Sequence, residues 1–368
     1  MGITKRPGSP RKPPTSLEAF AAANSEDPLP TEVRALRTLV LRYKRQIERQ
    51  RAALYEVVRD ALQEAFEPIP RILPVKAAPA PKRKSRTAES QHMLLSDLQC
   101  GKQTRSYNME VLADRMRRYF DTCLHLAEIA RVHHPVDELV IHLNGDLVEG
   151  ELIYPGQQME IETNVLTQAV FGAQMLAGEI ARVAAHYPVV RIYSTSGNHG
   201  RGGKGFDPES NWDTVMAYFI KFLLQQQAGI SVEVSPTWYT VVRAKGWGFL
   251  QTHGDQINAW MSIPIYGIIQ RTMRWLDSIP EPFDYVLLGH FHNMANFVWN
   301  FSEIIVNPTP ESGNEYARRN LGMSGYPAQM TFFCHPEHGI TSRYPVWLAP
   351  RRPRIRAPLE HEAPRDSI

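Results

Sequence analysis

Residues 138–146, ELVIHLNGD, place Leu139, Val140, Ile141 and Leu143 in one short run and then stop it on Asn144, Gly145 and Asp146. A brief apolar run closed by turn-forming residues reads as a buried β-strand ending in a polar loop. The same grammar recurs in HMLLSDL (92–98), VVRIYSTSGNH (189–199), WGFLQTHGD (247–255), YVLLGHFHN (285–293) and EIIVNPT (303–309). Between these runs lie longer stretches of helical period, predicted as helices over 109–132, 164–186, 212–227 and 263–276. Strands alternating with helices define an α/β layered domain. In such sheets ligands bind beyond the carboxyl ends of the strands, so the polar residues that end the apolar runs are predicted to converge on one crevice.

In chain order the strand ends offer Asp97 and Gln99, Asp146, Asn198 and His199, His253, then His290 and His292. Carboxylate and amide oxygens favour manganese or magnesium, while imidazole favours zinc, iron or nickel, so the mixed set suits a hard to borderline divalent ion. No cysteine is among them. A carboxylate can bridge two ions roughly 3.5–4 Å apart, the spacing that clamps both the attacking and the leaving oxygen of a phosphoryl displacement. Asp146, in the turn NGDLVEG (144–150), is the candidate bridge. Any one of these motifs alone reads as a turn with a satisfied histidine; their ordered series points to a metal centre.

That series resembles the calcineurin-like metallophosphoesterase superfamily over residues 92–345, motif by motif: SDLQCGK (96–102), NGDLVEG, GNHG (197–200), His253 and GHFH (289–292). The resemblance implies a two-sheet β-sandwich flanked by helices with a dinuclear site at its edge. It implies further that Asp97, Gln99, Asp146 and His292 hold one ion, that Asp146, Asn198, His253 and His290 hold the other, and that His199 protonates the leaving oxygen. Three departures stand out. Gln99 replaces the family histidine, which predicts a looser first ion and a preference for manganese, or firm binding of one ion alone. Glu149 stands where the family has Asp, compatible with a supporting role behind the ligands. Gly200 replaces the carboxylate that orients the histidine, leaving Asp207, Glu209 or Asp255 as candidates for that hydrogen bond.

Working outward, residues 1–30 form a basic, Pro-rich tail too poor in apolar residues to order itself. Over 31–67, Leu36, Val40, Tyr43, Ile47, Leu54, Val57 and Ala61 recur at steps of three and four, with Gln50 interrupting the seam. This amphipathic helix either docks on its own domain or dimerises the chain as a coiled coil, making a homo-oligomer. Residues 68–90 are a Pro-rich, basic linker, 91–348 the catalytic domain and 349–368 a second disordered tail. The charge is nearly balanced, 41 Lys+Arg against 38 Asp+Glu, so bulk composition does not by itself announce a nucleic-acid binder. Three scattered cysteines, Cys100, Cys123 and Cys334, point to reduced thiols and a cytoplasmic protein, in the host cytoplasm for a phage-encoded chain. No membrane span and no secretion signal is read.

The expected function is hydrolysis of phosphodiester bonds in DNA by a metal-activated hydroxide, with two divalent ions, manganese first and zinc, iron or magnesium as alternatives. DNA is the expected partner because NEYARRNLGMSGYPAQ (314–329) resembles phage and bacterial nucleases of the Mre11 and SbcD kind, and because KRKSR (82–86) and RRPRIR (351–356) suit a phosphate backbone. Arg201 and Lys204 in the loop after His199 are candidates for binding phosphate oxygens, with Glu149 and Asp255 behind the ligands. Two other readings stay open: a phosphoesterase for a small phosphomonoester, cyclic nucleotide or phosphoprotein, and a catalytically weak scaffold. CHPEHG (334–339) lacks a second ligand pair and reads as a loop before a final strand.

Overall fold

A computed structural model describes residues 39–40, 42–43, 45, 72–76, 78–79, 87–202, 210–258, 263–314 and 325–350, and the chain divides into two units, Met1–Arg71 and Ile72–Ile368. In the first unit Leu39, Val40, Arg42, Tyr43 and Arg45 are helical. The tail at 1–30, most of the predicted helix, Lys204, and the basic segments 82–86 and 351–356 lie outside the described residues. Everything below concerns the second unit.

Two mixed sheets form its centre. The first contains β1 (Glu89–Leu95), β2 (Val136–Asn144), β3 (Val189–Thr195), β4 (Ile230–Val234), β10 (Ala328–His335) and β11 (Gly339–Trp347), in the order β11-β10-β1-β2-β3-β4. The second contains β5 (Tyr239–Ala244), β6 (Trp247–Thr252), β7 (Tyr285–Leu288), β8 (Ala295–Trp299) and β9 (Ser302–Val306), in the order β5-β6-β7-β9-β8. Strands β1 to β4 run parallel, as do β6, β7 and β9. Parallel neighbours need crossover connections. Four of these are supplied by α1 (Met109–Arg131), α2 (Val165–Ala184), α3 (Trp212–Leu224) and α4 (Pro264–Ser278), and the fifth, from β7 to β9, runs through β8. Asn108, Asn164 and Asn211 cap the first three, each accepting a backbone N–H of the first turn.

Strand periodicity sorts the core into three layers. Met93, Leu95, Leu139, Ile141 and Leu143 face α1 to α3, while Leu94 and Val140 point between the sheets, where Phe249, Leu287, Ile305 and Phe332 meet them. Leu250, Val286, Leu288 and Ile304 face the outer side of the second sheet with Ile268 and Trp275 of α4. Each fully buried side chain of this size contributes roughly 1.5–3 kcal/mol. Burial on both faces explains why the parallel strands read as continuous apolar runs.

The sequence reading omitted β10, which is buried along its whole length, and β4, β5 and β8. The last three have half-buried or exposed positions in place of a clean apolar run. The β5–β6 hairpin turns at Lys245 and Gly246, both at positive φ, and β8–β9 turns at Asn300, also at positive φ. CHPEHG, read as a loop, supplies the end of β10 and its turn into β11.

Candidate metal centre

Five of the seven non-glycine residues at positive φ among the described residues are candidate ligands: Asp97, Gln99, Asp146, His290 and His292. The other two occupy the hairpin turns named above. An L-residue in the left-handed region costs on the order of 1 kcal/mol and persists only where its surroundings impose it. Here the strain turns the first polar residues after β1, β2 and β7 back across the strand ends.

The side chains so placed interlock. Asp97 accepts the His290 backbone N–H at 2.9 and 3.1 Å, and its Oδ1 lies 3.4 Å from His292 Nε2. Gln99 Nε2 is 3.2 Å from His292 Nε2. Asp146 Oδ1 accepts the His199 backbone N–H at 2.8 Å, and Oδ2 stands 3.0 Å from His253 Nε2. One donor atom from each of Asp146, His253 and His290 falls within 4.8 Å of the others, a grouping able to hold a metal ion.

The chemistry of this set fits a divalent cation. Gln99 Oε1, Asn198 Oδ1 and His253 Nε2 are buried and have no hydrogen-bond partner among the described residues. Buried polar atoms are otherwise almost always partnered. His253 makes the argument sharper: its Nδ1 faces the Asn144 carbonyl at 3.0 Å, which can only accept, so Nδ1 carries the hydrogen. In the neutral ring Nε2 is then a lone pair aimed at a carboxylate oxygen, an arrangement stable only with a cation there, either a proton or a metal.

The electrostatics agree. Burial alone lowers His253, yet the Asp146 charge raises it to about 10. Burial raises Asp146, and the charges of His253 and His199 outweigh it, holding the carboxyl well below its usual range. Burial lifts Asp97 to about 7, and burial with the His253 charge lowers His290 to about 4. His292 falls to about 3, through burial first and the His199 charge second.

His199 has its own support. Its Nδ1 lies 3.0 Å from the Glu149 carbonyl and 3.3 Å from Glu149 Oε2, which leaves Nε2 on the side of Asp146, 3.9 Å from Oδ2. Burial lowers this ring, but Asp146 and Glu149 raise it to about 10. Glu149 is fully buried and is held from behind by Lys102 Nζ at 3.2 Å, which also reaches Glu160 at 2.8 Å. Of the three acids expected to orient His199, Asp207 and Glu209 lie outside the described residues, and Asp255 turns to Arg201. Gly200 is glycine for a steric reason. A Cβ there would sit 2.2 Å from Asn211 Oδ1 and 2.9 Å from the Asp213 N.

Sequence reasoning missed Asp213. Fully buried at the start of α3, it accepts the backbone N–H groups of Asp146 (2.8 Å), Leu147 (2.9 Å), Val148 (3.1 Å) and Gly197 (2.8 Å), welding the loop after β2 to the loop after β3. Its only local signal is the helix-capping pattern Asn211-Trp212-Asp213, which reads as capping alone. Glu311 was also missed. It is buried near His292, Oε2 to Nδ1 3.7 Å, and raised to about 7 by burial and by Glu149. Arg201, about a third exposed and paired with Asp255, stands beside the donor loop.

No protein-family model and no curated protein matches the chain. Solved structures do. Vps29 from Cryptosporidium parvum is 16% identical, with 67% of this chain and 86% of that chain covered and a TM-score of 0.33. An archaeal phosphodiesterase is 11% identical, covering 69% of this chain and 99% of its own, at 0.35. Vps29 from Entamoeba histolytica complexed with Zn2+ is 10% identical, covering 70% and 99%, at 0.31. Among the described residues no helix is long and apolar enough to cross a membrane.

Proposed function

We propose that this protein is a metal-dependent phosphoesterase that cleaves phosphodiester bonds, with DNA as substrate. The observation that carries the proposal is the grouping of Asp146, His253 and His290 donor atoms within 4.8 Å of one another, with the partnerless atoms of Gln99 and Asn198 and with His199 Nε2 on the side of Asp146. Asp97, Gln99, Asp146 and His292 would hold one divalent ion, and Asp146, Asn198, His253 and His290 a second. Such a pair, when bound, supplies Lewis acidity toward the phosphoryl oxygens and an activated water.

The chain's own residues do the rest. The Glu149 carbonyl accepts the Nδ1 hydrogen of His199 and the Glu149 carboxylate stands 3.3 Å away, so Nε2 is the atom that hands a proton to the leaving sugar oxygen. Lys102 fixes Glu149 in turn. Asp213 holds the backbone on which Asp146 and Asn198 are mounted. Arg201, oriented by Asp255, offers a guanidinium edge to a non-bridging phosphate oxygen. DNA is favoured over smaller esters by the basic segments 82–86 and 351–356 and by the resemblance of 314–329 to nucleases.

The test is degradation of end-labelled linear and closed circular DNA, single- and double-stranded, with manganese, comparing the native chain with His199→Ala and Asp146→Asn. Loss of DNA with the native chain alone is expected. Intact DNA throughout, with turnover of a chromogenic diester, would move the substrate to small phosphodiesters, and inertness toward both would sink the enzyme reading.

A further inference from the structure

A file of buried polar side chains crosses the sandwich behind the ligands, in a layer that is otherwise apolar. Ser90 and His92 on β1, His142 and Asn144 on β2, Thr195 on β3 and Gln251 on β6 are all buried. Ser90 Oγ is 2.9 Å from His92 Nε2, His92 Nδ1 is 2.9 Å from His142 Nε2, and His142 Nδ1 is 2.9 Å from Gln251 Oε1. Gln251 Nε2 then reaches the Leu143 carbonyl at 2.9 Å and Thr195 Oγ1 at 3.3 Å, and Thr195 Oγ1 lies 3.1 Å from Asn144 Oδ1.

The order of the two histidines follows from the Gln251 amide, whose Nε2 faces the Leu143 carbonyl and whose Oε1 therefore faces His142. An amide oxygen accepts, so His142 Nδ1 donates to Gln251 and its Nε2 is a lone pair. That lone pair takes the Nδ1 hydrogen of His92, whose Nε2 then accepts from Ser90. At the other end Gln251 gives one hydrogen to Leu143 and a second shared between the Tyr193 carbonyl at 3.2 Å and Thr195 Oγ1, Thr195 gives one to Asn144, and Asn144 Nδ2 gives one to the Leu287 carbonyl at 3.1 Å. The Asn144 carbonyl receives the Nδ1 hydrogen of His253. Each bond requires its neighbour, and the file ties together the ends of β2, β3, β6 and β7, the strands from which Asp146, Asn198, His253 and His290 emerge.

Both imidazoles must be neutral for this order to hold. Burial lowers both; around them stand Phe249, Phe332, Ser90 and Gln251, with the charges of Arg191 acting on both rings and of Lys245 on His92 in the same direction. Two imidazoles and an amide are a costly way to fill a layer that Leu and Phe fill elsewhere. A fully satisfied polar network gives one arrangement in return.

We infer that His92, His142 and Gln251 are positioning residues for the metal centre, holding the Asn144 carbonyl where it receives His253 Nδ1–H and so aiming His253 Nε2 at Asp146. The inference rests on the metal-centre reading given under the proposed function. It predicts a cost on ion binding that a packing role alone would not carry.

The experiment compares full-length native protein with His142→Leu, His142→Gln and Thr195→Val. Gln can accept from His92 and donate to Gln251, whereas Leu can do neither. Manganese titration calorimetry on chelator-stripped protein should show roughly 10- to 100-fold weaker binding for His142→Leu, the usual cost of losing a group behind a ligand, and a native-like value for His142→Gln. In nitrogen-15 spectra of the metal-free chain, the Nδ1 hydrogen of His253 should exchange with water at least about tenfold faster in His142→Leu than in the native chain or His142→Gln, the ratio that a lost hydrogen bond of about 1.4 kcal/mol gives. Should His142→Leu not fold, Thr195→Val breaks the same file one link from Asn144 and is read in the same way. A folded His142→Leu or Thr195→Val with native affinity and native exchange would overturn the inference. If the native chain binds no ion, the proposed function falls, while the exchange of the His253 hydrogen still decides the present point.

Discussion

Replacing Asp213 by Asn tests whether the loops carrying Asp146 and Asn198 are held by one carboxylate. Oδ2 accepts from Asp146 and Gly197, both at 2.8 Å, and Oδ1 from Leu147 at 2.9 Å and Val148 at 3.1 Å. An amide keeps one oxygen, so whichever way Asn is turned, two buried N–H groups face an NH2. Each such loss costs roughly 1–3 kcal/mol, which sums to about 4 kcal/mol before any relaxation. For a domain of 150–250 residues, 1 kcal/mol moves Tm by about 2–4 °C, so a fall of roughly 8–16 °C is expected. Differential scanning calorimetry of the native and Asp213→Asn chains, each with and without manganese, reads this directly. The metal-dependent gain in Tm should shrink as well, because the same loop presents Asp146. A Tm within about 2 °C of native would show that these four bonds do not hold the centre together, and the role given to Asp213 would be wrong.

Three further outcomes follow from the same geometry. His199→Asn should lower kcat on a phosphodiester by about 10²–10⁴-fold with little change in KM, and by much less on a p-nitrophenyl ester, whose leaving group needs no proton; equal losses on both would exclude a proton-donor role. Gln99→His should tighten zinc binding by about tenfold in competition against a chromogenic chelator, since imidazole is the better zinc ligand, and unchanged affinity would place Gln99 outside the ligand set. The third concerns pH. Burial lowers His142 to about 4 in the folded chain against about 6.5 unfolded, so its contribution is fully present above pH 6.5 and is lost as pH falls toward 4. That loss reaches about 3 kcal/mol by pH 4, visible as a falling urea midpoint; His142→Gln should flatten that part of the curve, and an unaltered slope would show the ring is not buried neutral.

How the departures at Gln99, Glu149 and Gly200 are accommodated shows where sequence reading stops. The series from Asp97 to His292 was legible because each residue ends an apolar strand, and chain order alone delivers strand ends to one edge of an α/β sheet. The four helices were legible because their helical periods are long. Glu149 as the group that orients His199 was not, since the nearby candidates Asp207, Glu209 and Asp255 offered the same chemistry. Only the packed loop puts Glu149 3.3 Å from Nδ1 and turns Asp255 to Arg201.

By itself, then, the sequence determined the layered α/β class, the strand ends and the polar residues that stand there, because these depend on local periodicity and on residue type. The three-dimensional structure decided what supports them. Asp213 reaches back 67 residues to Asp146, Lys102 reaches forward 47 to Glu149, and His92 meets His142 across 50 residues. Contacts of that span leave no local pattern, since a buried Asp, Lys or His looks the same in one dimension whether its partner lies in solvent or on the facing sheet. Folding brings such groups together, and the cost of leaving any one of them buried without its partner is what makes the arrangement specific.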